Sequence, residues 1–172
     1  MIRVLIADDH QVVRSGLEQL LATADDMELV GMAADGAEAA ALVAELAPDI
    51  VLMDLSMPDV DGVEATRQIT ASGAATQVVV LTSFSDQQWI LDALDAGAAG
   101  YVLKHASPDE LLDAIRAAHG GGSVVSITST TAILVPVLIA AYSGAKASTM
   151  FVTKIAAREY GHANVRFNCL AP

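Results

Sequence analysis

Asp8, Asp9, Asp54, Thr82 and Lys104 are the residues whose types and positions promise chemistry. Asp8 and Asp9 follow the apolar run Ile2–Ala7, Asp54 follows Ile50–Met53, Thr82 follows Val78–Leu81 and Lys104 follows Tyr101–Leu103. If these runs are parallel strands, all five residues stand at carboxyl ends and share one sheet edge, where ligands bind. Strand order at the switch point sets strands 1 and 3 side by side, so the three acids converge. Clustered carboxylates repel, and they stay ionised together only beside a cation. Mg²⁺ suits them, because it takes hard oxygen ligands and keeps waters that a phosphoryl group can replace. A hydroxyl and an ammonium on the same edge can bind phosphoryl oxygens around a phosphorylated Asp54. Any one of these residues has an ordinary explanation, such as Asp9 capping a helix. Five suitable residue types at the ends of the right strands do not.

The elements that must position them are legible in the spacing. Apolar, β-branched runs recur at Ile2–Ala7, Glu28–Met32, Ile50–Met53, Val78–Leu81 and Tyr101–Leu103, about one strand–helix unit apart. Helical patterns lie between them, and Val12, Val13, Leu17, Leu20 and Leu21 read as one apolar face. Asp35-Gly-Ala-Glu38 reads as a capping box, and Ser107-Pro108-Asp109-Glu110 adds proline at the first helical position. Five βα units in series predict an α/β, doubly wound, mostly parallel sheet.

Composition narrows the class. The chain has 172 residues, 53% hydrophobic but only 4% aromatic, so Val, Ile, Leu and Ala must build the core. The single cysteine, Cys169, excludes an internal disulfide framework. The start MIRVLIADDH lacks the pattern of a signal peptide, and the apolar stretch Ala132–Tyr142 is short and holds Pro136. A soluble cytoplasmic protein with no membrane partner is expected. The net charge is −12, but residues 1–122 carry 20 acids against 5 bases, whereas residues 123–172 carry 1 acid and 4 bases. The acidic body speaks against a nucleic-acid partner. Charge, composition and period all change at Gly120-Gly121-Gly122, which marks a junction between segments 1–120 and 121–172.

Residues 1–120 resemble the receiver domain of bacterial response regulators, of the branch that usually carries a helix-turn-helix output domain. The resemblance rests on Asp8-Asp9, Met53-Asp54-Leu55-Ser56-Met57-Pro58 with Gly62, Leu81-Thr82-Ser83 and Gly100-Tyr101-Val102-Leu103-Lys104. It implies a flavodoxin-like fold and Asp54 as phosphoacceptor. It also implies Mg²⁺ on Asp9, Asp54 and the Ser56 carbonyl with Asp8 assisting, a switch pair Thr82 and Tyr101, and Lys104 on the phosphoryl group. The phosphoryl donor it implies is a histidine kinase or a small phosphodonor. No DNA-binding segment follows in the sequence, so no transcriptional output is expected of it.

The remainder carries a second set. Ser123–Thr128 and Val165–Leu170 read as a sixth and a seventh strand, with a helix over 142–160 between them. Tyr142 and Lys146 stand at i and i+4 on one face of that helix, and Ser129 ends the sixth strand. An ammonium lowers a nearby phenol's pKa, so such a tyrosine can exchange a proton with a carbonyl or alcohol. An ordinary surface pair explains the same spacing. The surrounding stretches GGSVVSITSTTA, AAYSGAKASTMFVTKIAAREYG and NVRFNCLAP resemble the catalytic stretch of short-chain dehydrogenases/reductases. By that resemblance Ser129, Tyr142 and Lys146 occupy catalytic positions.

The glycine-rich turn that would hold a dinucleotide pyrophosphate is missing, and the first strand runs instead into Asp8-Asp9-His10. No NAD(P) is expected, the triad reads as an inactive relic, and the chain is not expected to be an enzyme. A receiver followed by a Rossmann-type β-α-β piece reads as a chimera recombined by design.

The simplest arrangement is one sheet in the order 2-1-3-4-5-6-7. Receivers pack the helix after strand 5 on the face of helix 1, whereas a right-handed crossover outward to strand 6 needs the opposite face. Either that helix changes faces or the tail docks elsewhere, as by swapping into a partner chain. Met150, Phe151, Val152 and Ile155 widen the apolar arc of the 142–160 helix, which fits either a homodimer through that helix or a fully buried core helix. The leading function is a Mg²⁺-dependent aspartyl-phosphate acceptor. A structural fold chimera without activity is the alternative, and a nicotinamide-dependent oxidoreductase the distant one.

Overall fold

The computed structural model describes residues 1–82 and 87–120, and the backbone of residues 123–127 and 166–170. Five βα units come first: β1 Ile2–Ala7, α1 Gln11–Leu21, β2 Met27–Ala33, α2 Gly36–Leu46, β3 Ile50–Asp54, α3 Gly62–Ala71, β4 Gln77–Thr82, α4 Gln87–Asp95, β5 Gly100–Leu103 and α5 Pro108–His119. The strands β6 Ser123–Ile127 and β7 Arg166–Leu170 follow. The chain divides into two compact units, Met1–Gly120 and Gly121–Pro172.

In the first unit the five strands pair in parallel in the order β2-β1-β3-β4-β5. Alternation along each strand sends side chains to two cores. Ile2, Val4, Ile6, Ile50, Leu52, Val79 and Leu81 pack with Leu21 of α1 and with Leu111, Leu112, Ile115 and Ala118 of α5. Leu5, Val51, Met53, Val78 and Val80 pack with Ala39 and Val43 of α2, Ala65 and Ile69 of α3, and Ala93 of α4. Strands buried on both faces must be apolar throughout, which is why these runs are nearly unbroken. The doubly wound, flavodoxin-like α/β fold expected from the spacing is the fold observed.

Helix starts follow their local chemistry. At α5, Glu110 N–H donates to Ser107 Oγ and Ser107 N–H donates to Glu110 Oε2, with Pro108 at the first helical position. At α2, Glu38 N–H donates to Asp35 Oδ1 as expected, but the Glu38 carboxylate reaches past the cap residue and accepts from Ala34 N–H at 2.7 Å. Val12 departs from the expected α1 face and is 86% exposed. Val13, Leu17, Leu20 and Leu21 already keep the i, i+4, i+7, i+8 rhythm, and a residue one step before that series is turned about 100° from its first member.

Among the described residues the strands of the second unit pair with each other. β6 pairs in parallel with β7, Ser123 opposite Arg166 through Ile127 opposite Leu170, as a separate two-stranded sheet. α5 lies with α1 in one core of the first unit. Ser129, Tyr142, Lys146 and the 142–160 helix, with its dimer reading, lie outside the described residues.

Candidate phosphoryl-acceptor and metal site

Strand register brings the acids together. Ala7 pairs with Met53, so Asp8 and Asp54 emerge side by side at the carboxyl ends of β1 and β3. On the other side Asp54 pairs with Leu81 and Thr82 with Leu103, which carries Lys104 to the same edge. The Lys104 N–H donates to the Thr82 carbonyl at 2.8 Å and fixes the start of the lysine's reach. Asp8, Asp54 and Thr82 are buried, whereas the Asp9 side chain is partly exposed.

The Lys104 ammonium stands 2.9 Å from both Asp8 Oδ2 and Asp54 Oδ2. Burial works against its charge, but the Asp54 and Asp8 carboxylates beside it outweigh that cost and hold it above its usual range. Asp8 Oδ1 accepts the His10 N–H at 2.8 Å, and the Asp8 carbonyl accepts from Arg14 Nη1. Asp54 differs. Its Oδ2 is buried, and among the described residues the Lys104 ammonium at 2.9 Å is its partner.

Ligand atoms of Asp8, Asp9, His10 and Asp54 all lie within 4.8 Å of one another. Two of the three carboxylates share one ammonium, which leaves the cluster net negative, so the residues present fit a hard divalent cation. His10 is the member of this group that sequence reading passed over. The signal was available, since an imidazole directly after two acids adds a second kind of ligand atom at one strand end.

Two further residues position the site. Gly62 opens α3 with its N–H donating to the Leu55 carbonyl, and a Cβ there would stand 2.0 Å from the Asp54 carbonyl oxygen. Only glycine lets the helix start this close to the strand that carries Asp54. Tyr101 is half-buried and packs on the α2–α4 core. Ser56 is exposed, in the segment that follows β3.

Comparison with known proteins agrees with this geometry. A family model described as the response regulator receiver domain matches residues 4–116. The chain belongs to the response regulator receiver family. The uncharacterized transcriptional regulatory protein YhcZ of Bacillus subtilis (strain 168) is 50% identical over 119 residues, which are 69% of this chain and 55% of that protein. The chain thus spans about half the length of this curated relative. A LuxR-family two-component response regulator from Aurantimonas sp. SI85-9A1 is similar in structure at TM-score 0.67 and 39% identity, covering 71% of this chain and 87% of the other. A chain from the CheX-CheY-BeF3-Mg+2 complex of Borrelia burgdorferi gives TM-score 0.62 at 25% identity, covering 67% of this chain and 87% of the other. A second family model, described as enoyl-(acyl carrier protein) reductase, matches residues 98–172 and overlaps the receiver match. Among the described residues, no helix is long and apolar enough to cross a membrane.

Proposed function

We propose that the chain accepts a phosphoryl group on Asp54 in a Mg²⁺-dependent reaction, with a histidine kinase or a small phosphodonor such as acetyl phosphate supplying it. The observation that carries this reading is Asp54 itself, a buried carboxylate whose Oδ2 meets the Lys104 ammonium at 2.9 Å in a pocket shared with Asp8 and Asp9. An Asp54 oxygen forms the new O–P bond as the donor's P–N or P–O bond breaks, and the leaving group departs with that electron pair. Lys104 neutralises charge on the transferred phosphoryl oxygens, and the Thr82 hydroxyl donates a hydrogen bond to one of them. Asp8, Asp9, Asp54 and the Ser56 carbonyl would hold the Mg²⁺, which when bound would supply further charge neutralisation. Tyr101 acts with Thr82 as the switch pair that reports the modification. The similar chain from Borrelia burgdorferi stands in a complex with BeF3 and Mg, which supports this chemistry by similarity.

The segment 121–172 is read as a dehydrogenase-like piece joined to the receiver, and the chain therefore as a chimera. The second family match and the division of the chain after Gly120 favour this. The piece is read as inactive, and the protein as a cytoplasmic phosphoacceptor with no enzymatic role of its own.

The test is incubation with acetyl phosphate, with and without Mg²⁺, read by mass spectrometry as a gain of one phosphoryl group. A Mg²⁺-dependent gain that Asp54→Asn abolishes supports the reading. No gain in folded protein supports the alternative of a structural chimera without activity.

A further inference from the structure

We propose that Arg14 is a positioning residue of the acidic pocket: its guanidinium, tied to the Asp8 carbonyl, holds Asp8 and Asp9 in the mutual orientation that a divalent cation needs. This rests on the reading of the pocket as a Mg²⁺-dependent phosphoryl-acceptor site and adds to it a residue outside the ligand set.

α1 starts without the side-chain cap that other helices of the unit have. Asp35, Asp61 and Ser107 each accept a backbone N–H at the starts of α2, α3 and α5. The N-cap of α1 is His10, whose side chain makes no such bond, and no acid stands in the first turn. Arg14 ties that start down from within the helix. Its N–H donates to the His10 carbonyl at 3.1 Å, and its Nη1 reaches back six residues to the Asp8 carbonyl at 2.5 Å. An arginine on a helix ordinarily pairs with a carboxylate one turn away, and Glu18 stands at i+4. Among the described residues Arg14 nevertheless forms no ion pair, and its half-buried side chain holds the backbone carbonyl instead.

That carbonyl governs both acids. The peptide unit from the Asp8 Cα to the Asp9 Cα is planar, so a bond to its oxygen fixes the direction in which the chain carries Asp9 away from Asp8. The charge on the donor makes such a bond roughly twice as strong as one between neutral groups. Asp8 is pinned at its other polar atoms, with its N–H on the Ala33 carbonyl, Oδ1 on the His10 N–H and Oδ2 on the Lys104 ammonium. The Asp9 side chain is 31% exposed, and among the described residues the His10 imidazole is its ion-pair partner. The Arg14 bond therefore steadies the less constrained of the two acids.

The experiment is calorimetric Mg²⁺ titration of the whole chain for the wild type, Arg14→Met and Arg14→Lys, with Asp54→Asn marking binding outside the pocket and urea denaturation reporting stability. Losing a positive charge beside carboxylates by itself tightens cation binding. Positioning predicts the opposite sign: Mg²⁺ affinity is expected to fall about tenfold in Arg14→Met and only about threefold in Arg14→Lys, which keeps a charged donor. An affinity in Arg14→Met equal to or above that of the wild type, even with lowered stability, overturns the proposal, since the tie then steadies only the helix start. Arg14→Lys binding no better than Arg14→Met overturns it as well. If Arg14→Met does not fold, Arg14→Lys decides alone, and wild-type affinity in it overturns the proposal. Each of these results leaves the Mg²⁺ site standing, whereas no Asp54-dependent Mg²⁺ binding in the wild type overturns the cation-site reading beneath it.

Discussion

Lys104 sets its ammonium 2.9 Å from Asp54 Oδ2 and the same distance from Asp8 Oδ2, from a position half a chain away at the end of β5. One positive charge thus holds two buried carboxylates at the point where the candidate phosphoacceptor stands. A divalent cation drawn to those carboxylates works against this contact, which makes Lys104 a measurable competitor for the ion.

Lys104→Met is accordingly expected to raise Mg²⁺ affinity about tenfold, since the carboxylates lose their counter-charge. In the ion-free protein the same change lowers stability by about 2 kcal/mol. This is below the cost of breaking a fully buried pair, because the lysine side chain is 27% exposed. Calorimetric Mg²⁺ titration and urea denaturation measure the two effects. Weaker Mg²⁺ binding in the variant would contradict the competition.

Gly62→Ala forces a Cβ toward the Asp54 carbonyl oxygen and the Leu55 Cα, both backbone atoms that cannot swing aside. The expected cost is about 3 kcal/mol in denaturation, with slower acetyl phosphate labelling because the shift passes directly to Asp54. Wild-type stability in this variant would show that the start of α3 moves without cost.

Arg116 on α5 clips the turn before β2, with Nε 2.8 Å from Asp26 Oδ2 and Nη2 2.9 Å from Asp26 Oδ1. The guanidinium, through that hydrogen bond first, holds the Asp26 carboxyl below its ordinary value. A carboxyl with a lowered folded pKa contributes stability above its unfolded value and loses it as the pH falls through the folded one. The acid limb of the stability curve, below about pH 4, is therefore expected to lose a component in Arg116→Ala. The Asp26 carboxyl should titrate upward toward its ordinary range in nuclear magnetic resonance. An Asp26 titration that the substitution leaves in place would remove this linkage.

Ser107→Ala takes away the side-chain half of the α5 capping box, whose Oγ accepts from Glu110 N–H over a long 3.4 Å. The loss should sit at the low end of cap substitutions, about 0.5–1 kcal/mol in chemical denaturation. A cost well above that would mean Ser107 supports more than the helix start.

The five strands and the edge they share were legible because a parallel sheet covered on both faces demands unbroken apolar runs. Polar residues can then appear only where a run stops. Asp8, Asp54, Thr82 and Lys104 mark those stops. His10 was less legible, since its part depends on where its ring turns. Gly62 stood in the recognised motif, but the reason for it, a helix start pressed on the Asp54 carbonyl, is a contact that spacing does not express. Val12 looked like part of the core face because apolarity alone cannot tell the inner residue of an adjacent pair from the outer one.

By itself the sequence determined the residue types at each strand end and the alternation that divides side chains between two cores, because both follow from local geometry and hydrophobic burial. The tertiary structure decided which oxygens Lys104 reaches and that α5 lies with α1. It also decided that β6 pairs with β7. These are matters of long-range packing, in which several locally equivalent arrangements compete and only the assembled chain selects one.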